Sequence, residues 1–372
     1  MKLFSVTEEE LLARISEGLR KPILQTEIFA GKVKLSHLKK IDRLFKKGLH
    51  YYLDPKPPLE SEDASIFFRK EDFNSDLNLG ARRIVNFFEE EKISLSAISK
   101  LSELKVERML PVFSLQVSPQ KVANDVRKYI YPAFSADKKS FLKSLIGNLG
   151  NHNVLVFEFV ETWNKIDKAN IDGFYLSPNV IVLKRHQRSF RREIFTLIHE
   201  FGHYLLDEEE IDELDLQKVI DYPLVSVERW CHDFAYYFLI GEFDSTISEI
   251  VSANSQNDYQ HDLIDSIRDH THLSRRALYT RLLLLGKMSP RDYNIIRQEE
   301  EEIFKERELA EKREKELRKE MGITIEARSP KPILSPLLVK TVQIAYLEGI
   351  ISEAEFCRKL NINARQMESY LQ

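Results

Sequence analysis

Hydrophobic positions recur at helical spacing along most of the chain, and one stretch alone carries the denser, β-branched pattern of strands. Near the N-terminus, Glu8 to Ile15 reads as a short helix, and Leu35, Leu38, Ile41, Leu44 and Phe45 form one stripe on a second. The segment Asp54 to Ala64 (DPKPPLESEDA) sets three prolines among alternating charges, which disfavours helix and central strand and marks a boundary. Between Leu79 and Val160 the pattern predicts helices over Gly80 to Glu91, Ser94 to Leu104 and Pro119 to Ile130, interrupted by Pro111, Pro119 and Pro132.

The texture changes at Asn151. NVLVFEFVE (Asn153 to Glu161) predicts one strand, and FYLSPNVIVL after Gly173 predicts two more. The gaps are too short for packed crossover helices, so a small sheet beside helices is expected, not a βαβ series. The basic turn KRHQRSFRR then leads into the helix REIFTLIHEFGHYLL. SVERWCHDFAYYFLI follows with Ser226 as its cap. A helix near Tyr259 to Ile267 precedes LSRRALYTRLLLLG, where Ser274 can cap and Gly286 can stop. Arg297 to Glu320 holds 10 acidic and 8 basic residues, a solvated helix supported by i,i+4 ion pairs, closed off by Pro330 and Pro332. Leu338 to Leu371 reads as a set of small helices. The expected class is α+β, mostly helical, with a small sheet beside the HEFGH helix.

Composition narrows the function by exclusion. With 43% hydrophobic residues in 372, the chain fills at least one large core, and a net charge of -4 demands no nucleic acid or anionic membrane. Locally, residues 1–50 carry 11 basic against 6 acidic side chains, which suits DNA contact or simply a solvated helix face. Two separated cysteines, Cys231 and Cys357, fit a reducing cytosol and exclude a clustered thiolate zinc knuckle. No signal peptide or membrane-length apolar run is evident, so a cytoplasmic, non-membrane protein is expected.

The chemistry concentrates in HEFGH. Histidines four apart on a helix, His199 and His203, point the same way and can reach one metal, while Glu200 lies where it can polarise a metal-bound water. With ten histidines in the chain the motif can arise by chance, but apolar Phe195, Leu197, Ile198, Leu205 and Leu206 fix this helix in a core. A catalytic zinc needs a third protein ligand. Glu228, 25 residues after His203 at the start of the next apolar helix, reaches the motif if the two helices pack antiparallel. Asp207, Glu208, Glu209 and Glu210 compete for the role but need a sharp reversal, and Glu228 itself reads alternatively as a helix-cap carboxylate. His232, one turn beyond Glu228, suits a hydrogen bond to a ligand or to substrate.

Several stretches in order, FKKGLHYYLDPKPP, NIDGFYLSPNVIVL, RREIFTLIHEFGHYLL, VERWCHDFAYYFL and LSRRALYTRLLLLGKMS, resemble the ImmA/IrrE family of HExxH metallopeptidases in its longer prophage and mobile-element form. The likeness spans most of residues 35–290. It implies a zincin-like peptidase core at 151–290, after a helix-turn-helix-like region (1–55) and a linker with helices (56–150). A charged helix (291–330) and a small helical region (331–372) follow. It implies that Zn2+ is held by His199, His203 and Glu228, and that Glu200 is the catalytic base. Family members usually carry Asn or Asp where this chain has His232. Of the helix-turn-helix, only the second half, LSHLKKIDRLFKKGLHYYLDP, is matched. The implied activity is endopeptidase cleavage of a specific regulatory protein, such as a repressor or antitoxin encoded nearby. The water's proton would pass through Glu200 to the leaving amine. His232, Tyr204, Tyr236 and Arg192 are the candidate oxyanion donors, and the strands are candidates for binding an extended peptide by β-addition. The competing reading is a non-catalytic transcriptional regulator or toxin-antitoxin component using the same fold for partner binding or metal sensing.

Overall fold

In the computed structural model, Thr7 opens α1 (Glu8–Ser16) with a reciprocal cap: its hydroxyl accepts from Glu10 N–H while the Glu10 carboxylate takes the Thr7 N–H. The structure describes residues 4, 6–45, 47–54, 77–160, 168–185, 190–210, 226–321 and 331–371. The expected boundary after Asp54, the centre of KRHQRSFRR and Pro330 lie outside them. Two compact units make up the chain: Met1–Lys92 with Ile166–Asn170, and Ile93–Lys165 with Ile171–Gln372.

In the first unit α1 is followed by α2 (Gln25–Phe29), α3 (Leu35–Phe45) and α4 (Leu49–Leu53). Their small core gathers Phe4, Leu11, Ile15, Ile23, Ile28, Ile41 and Phe45. The α3 stripe is thus used at its C-terminal end, while Leu35 at the other end is exposed. The two helices expected over Gly80 to Glu91 and Ser94 to Leu104 are one, α5 (Leu79–Leu101). Neither Gly nor Pro stands between them, and a serine alone does not stop a helix whose apolar face continues through Leu95 and Ile98.

The second unit is built on α6 (Pro119–Ile130), α7 (Lys138–Asn151), strands β1 (Leu155–Val160), β2 (Gly173–Leu176) and β3 (Val180–Arg185), then α8 (Phe190–Leu206) and α9 (Val227–Ile240). Val122 and Val126 of α6, Phe141 and Leu145 of α7, Ile181 and Leu183 of β3, and Ile194 and Ile198 of α8 share one core with Phe234 and Phe238 of α9. The sheet order is β1-β3-β2. β3 pairs parallel with β1, Leu155 opposite Val180, and antiparallel with β2, Leu183 opposite Gly173. The expected absence of a simple βαβ unit thus comes with a parallel pair, because β2 itself lies within the connection. Both outer strands are buried, β2 along its whole length and β1 through Phe159.

Downstream, α10 (Asp244–Glu249), α11 (His261–His270) and α12 (Arg275–Leu284) complete the helical layer. Ser274 caps α12 by accepting from Ala277 N–H, and Gly286 follows it at φ +69°. The charged helix α13 (Pro290–Glu320) starts earlier than its charge pattern suggests, because Tyr293 and Ile296 pack into the core. Beyond them it is carried by i,i+4 pairs, Arg297–Glu301 and Glu314–Arg318. Short helices α14 (Pro336–Leu347), α15 (Glu353–Leu360) and α16 (Glu368–Leu371) end the chain. Among the described residues no helix is long and apolar enough to cross a membrane.

Candidate metal centre

Almost every side chain of α8 from Glu193 to Leu206 is buried, which is why FTLIHEFGHYLL is apolar on all sides. Its motif meets α9 through one small residue. A Cβ on Gly202 would stand 3.1 Å from the Cα, Cβ and Sγ of Cys231, so any larger residue would require the two helices to give by a few tenths of an ångström. Glu228 lies one turn before Cys231, and that approach carries it over the histidines. Ser226 opens α9 by accepting from Arg229 N–H, so the helix has its cap and the Glu228 carboxylate is left for other work. On the opposite side, a Cβ on Gly173 would lie 3.0 Å from Glu200 Cγ and 2.7 Å from Thr196 Cγ2, so β2 runs directly against the motif.

His199 Nε2 and His203 Nε2 are 3.2 Å apart, and the two Glu228 carboxylate oxygens lie 3.1 Å from the first and 3.2 Å from the second. Among the described residues these three alone form a candidate cation cluster. A tetrahedral ion with nitrogen and oxygen ligands at about 2.0–2.1 Å sets those ligands roughly 3.3 Å apart. The observed triangle fits that spacing, and two imidazoles with a carboxylate are a donor set suited to a divalent ion. The rival carboxylates are placed elsewhere. Asp207 sits just past α8 at φ +55°, accepting from Tyr175 Oη at 2.7 Å, Ser177 Oγ at 3.1 Å and Arg108 Nη1 at 3.3 Å, while Glu209 accepts from Ser177 N–H at 2.8 Å. Glu208 and Glu210 are not members of the cluster.

Burial dominates the electrostatics. It pushes the Glu200 carboxyl up to about 8, with His203 opposing and the charges of Glu228 and Asp172 adding. Glu200 Oε2 has no hydrogen-bond partner among the described residues. Burial also works against an ionised Glu228, but the facing His203 and His199 rings hold it well below the usual carboxylate range. The Cys231 thiol is pushed up to about 11 by burial and stays neutral. His232 is pushed down to about 3, by burial first and then by the charges of His199, Arg229 and Arg281.

The other expected site residues divide sharply. Arg192 is engaged with Asp172 through Nε at 3.0 Å and a second, shorter bond. Tyr204 turns away, its hydroxyl 3.4 Å from Leu110 N–H and its ring 3.9 Å beneath the Arg108 guanidinium. The Tyr236 hydroxyl donates to Asp244 at 3.2 Å. His232 instead faces α8, with its ring 5.2 Å from that of Phe195, one turn before His199, and neither ring nitrogen has a partner among the described residues. Sequence reasoning missed Gly202, Gly173 and Asp172 as shaping residues. The glycine inside HEFGH and the Asp-Gly pair before β2 were the available signals.

No curated protein and no solved structure matches the chain. A peptidase family model described as the IrrE N-terminal-like domain does match, over residues 152–282, a span that takes in the sheet, both motif histidines, Glu200, Glu228 and His232.

Proposed function

We propose that the chain is a zinc-dependent endopeptidase whose zincin-like core, residues 151–290, cleaves a specific regulatory protein in the cytoplasm. The observation that carries this reading is the His199–His203–Glu228 triangle at ligand spacing, with a buried, partnerless carboxylate oxygen of Glu200 beside it. His199, His203 and Glu228 would hold the ion. When bound, a divalent ion supplies Lewis acidity, polarising a carbonyl and acidifying water. Glu200 receives the proton of the attacking water and returns it to the leaving amine, a cycle suited to a carboxyl that titrates near neutrality. Glu200 is itself buried, which limits the water that reaches it.

The likeness to the IrrE N-terminal-like domain favours a narrow substrate, a repressor or antitoxin from a neighbouring gene, over bulk degradation. Both cysteines are free, as suits a reducing compartment. The excess of basic side chains in residues 1–55 supports a recognition role for that region, whether toward DNA or toward the substrate. Elemental analysis of purified wild type, H199A and E228A, with cleavage of the neighbouring gene product by wild type and E200Q, tests the proposal. Zinc in the wild type alone and cleavage lost in E200Q are expected. Full zinc in both alanine variants, or unimpaired cleavage by E200Q, would overturn it and leave a non-catalytic regulator as the better reading.

A further inference from the structure

Four side chains near the motif carry hydrogen-bond donors that an acyl-transfer site could use; two of them are already donating elsewhere, and the Tyr204 hydroxyl is turned away, accepting from Leu110 N–H. Arg192 is paired with Asp172, the Tyr236 hydroxyl donates to Asp244, and the Tyr204 hydroxyl sits against Leu110 N–H beneath Arg108. His232 differs. It is 4% exposed, and both its ring nitrogens lack a partner among the described residues. Buried polar groups in native proteins are almost always satisfied, so a buried imidazole with two orphan nitrogens points to a group that arrives from outside. His232 stands one turn beyond Glu228 on α9 and beside Phe195, itself one turn before His199 on α8. It therefore flanks the ligand triangle without belonging to it.

We propose that His232 is a catalytic hydrogen-bond donor, its ring N–H meeting the scissile carbonyl oxygen as that oxygen gains negative charge. The proton stays on His232 throughout, so the residue stabilises charge and exchanges nothing. A neutral imidazole offers one N–H, and its dry, fixed position means that no solvent has to reorganise when the charge appears. Burial keeps it neutral, so it serves as a dipole and leaves proton transfer to Glu200.

This rests on the peptidase reading, and its test separates the two. The full-length chain is loaded with cobalt(II) as a spectroscopic ion and titrated with methylphosphonate, a tetrahedral oxyanion, and with acetohydroxamate, a planar chelator. Replacing His232→Leu should weaken methylphosphonate by about 30-fold or more while changing acetohydroxamate less than about threefold. Ion content should stay at the wild-type level. His232→Asn and His232→Gln, which keep an N–H, should lose less than about tenfold. Should H232L fail to fold, His232→Met against His232→Gln makes the same comparison. Equal methylphosphonate affinity in H232L and wild type overturns the inference, as does loss of the ion in both the apolar and the amide variants, which would make His232 a support for the ligands. A wild-type chain that takes up no ion fails the peptidase reading, and this inference with it.

Discussion

A buried histidine away from the motif gives the chain a pH response of its own. His272 is packed against Phe141, ring centroids 4.0 Å apart, and Phe134, 5.1 Å. Burial, followed by the charges of Arg191 and Lys138, pushes it down from 6.5 to about 4. The unfolded chain then binds the extra proton first. Stability from the neutral ring is complete above about pH 6.5 and is lost as the pH falls towards 4. Between pH 7.5 and 5 this one group should cost about 2 kcal/mol. Urea denaturation at the two pH values should find that loss in wild type and a correspondingly smaller one in His272→Phe, and equal losses would refute the assignment. At the same scale, the motif residues were legible because HEFGH and the Glu228 helix are local patterns. The engagements of Arg192, Tyr204 and Tyr236 were not, because Asp172, Leu110 and Asp244 come from segments with no local reason to be their partners.

Between elements, the crossing of α8 and α9 sets the distance from Glu228 to the histidines. Gly202 and Gly147 are both helix-interior glycines, yet a Cβ at Gly202 meets Cys231 at 3.1 Å and one at Gly147 meets nothing within 4 Å. Gly202→Ala should therefore destabilise by about 1–3 kcal/mol, through forced separation of the helices, and should weaken zinc. Gly147→Ala should stabilise by about 0.5–1 kcal/mol, through helix propensity alone. Chemical denaturation and a zinc titration check both, and a neutral G202A would mean that the crossing is not set here. Element limits with a capping residue, such as Ser226, Ser274 and the stop at Gly286, could be read from sequence. Strand order could not, since the parallel partner of β1 is chosen by what the intervening chain permits. The fusion of two expected helices into α5 reflects the same limit: a periodic pattern shows that a helix exists better than where it stops.

Over the whole second unit, a buried ion group joins parts of the chain far apart in sequence. Arg185 at the end of β3 reaches Glu158 of β1 at 3.1 Å and Glu193 in the first turn of α8 at 3.2 Å, all three side chains being 3% exposed or less. Glu158 also accepts the N–H of Ile333, and burial raises its carboxyl against the pull of that bond and of Arg185. Replacing Arg185→Met should cost about 3–5 kcal/mol, because the guanidinium that bridges the buried Glu158 and Glu193 carboxylates is removed. In the variant the Glu158 carboxyl, already raised by burial, would lose the opposing pull of Arg185 and rise further, so the variant's deficit should shrink as the pH falls from 7.5 to 5.5. Thermal melts across that range decide it, and a deficit that stays constant or grows would show that the carboxylates are not the cause. None of this joint was visible in sequence, where Glu158 is one polar position within the strand NVLVFEFVE and Arg185 falls in the basic turn KRHQRSFRR.

The same joint has a consequence for the order in which the protein comes into being. A nascent chain emerges from its N-terminus, so β1, β3 and the HEFGH helix are all made long before Ile333. Until that late segment arrives, Glu158 lacks one of its donors and the sheet end beside the HEFGH helix stays incomplete. The ion group at the sheet end beside the HEFGH helix is thus completed only once Ile333 has been made, after every residue of the candidate metal centre.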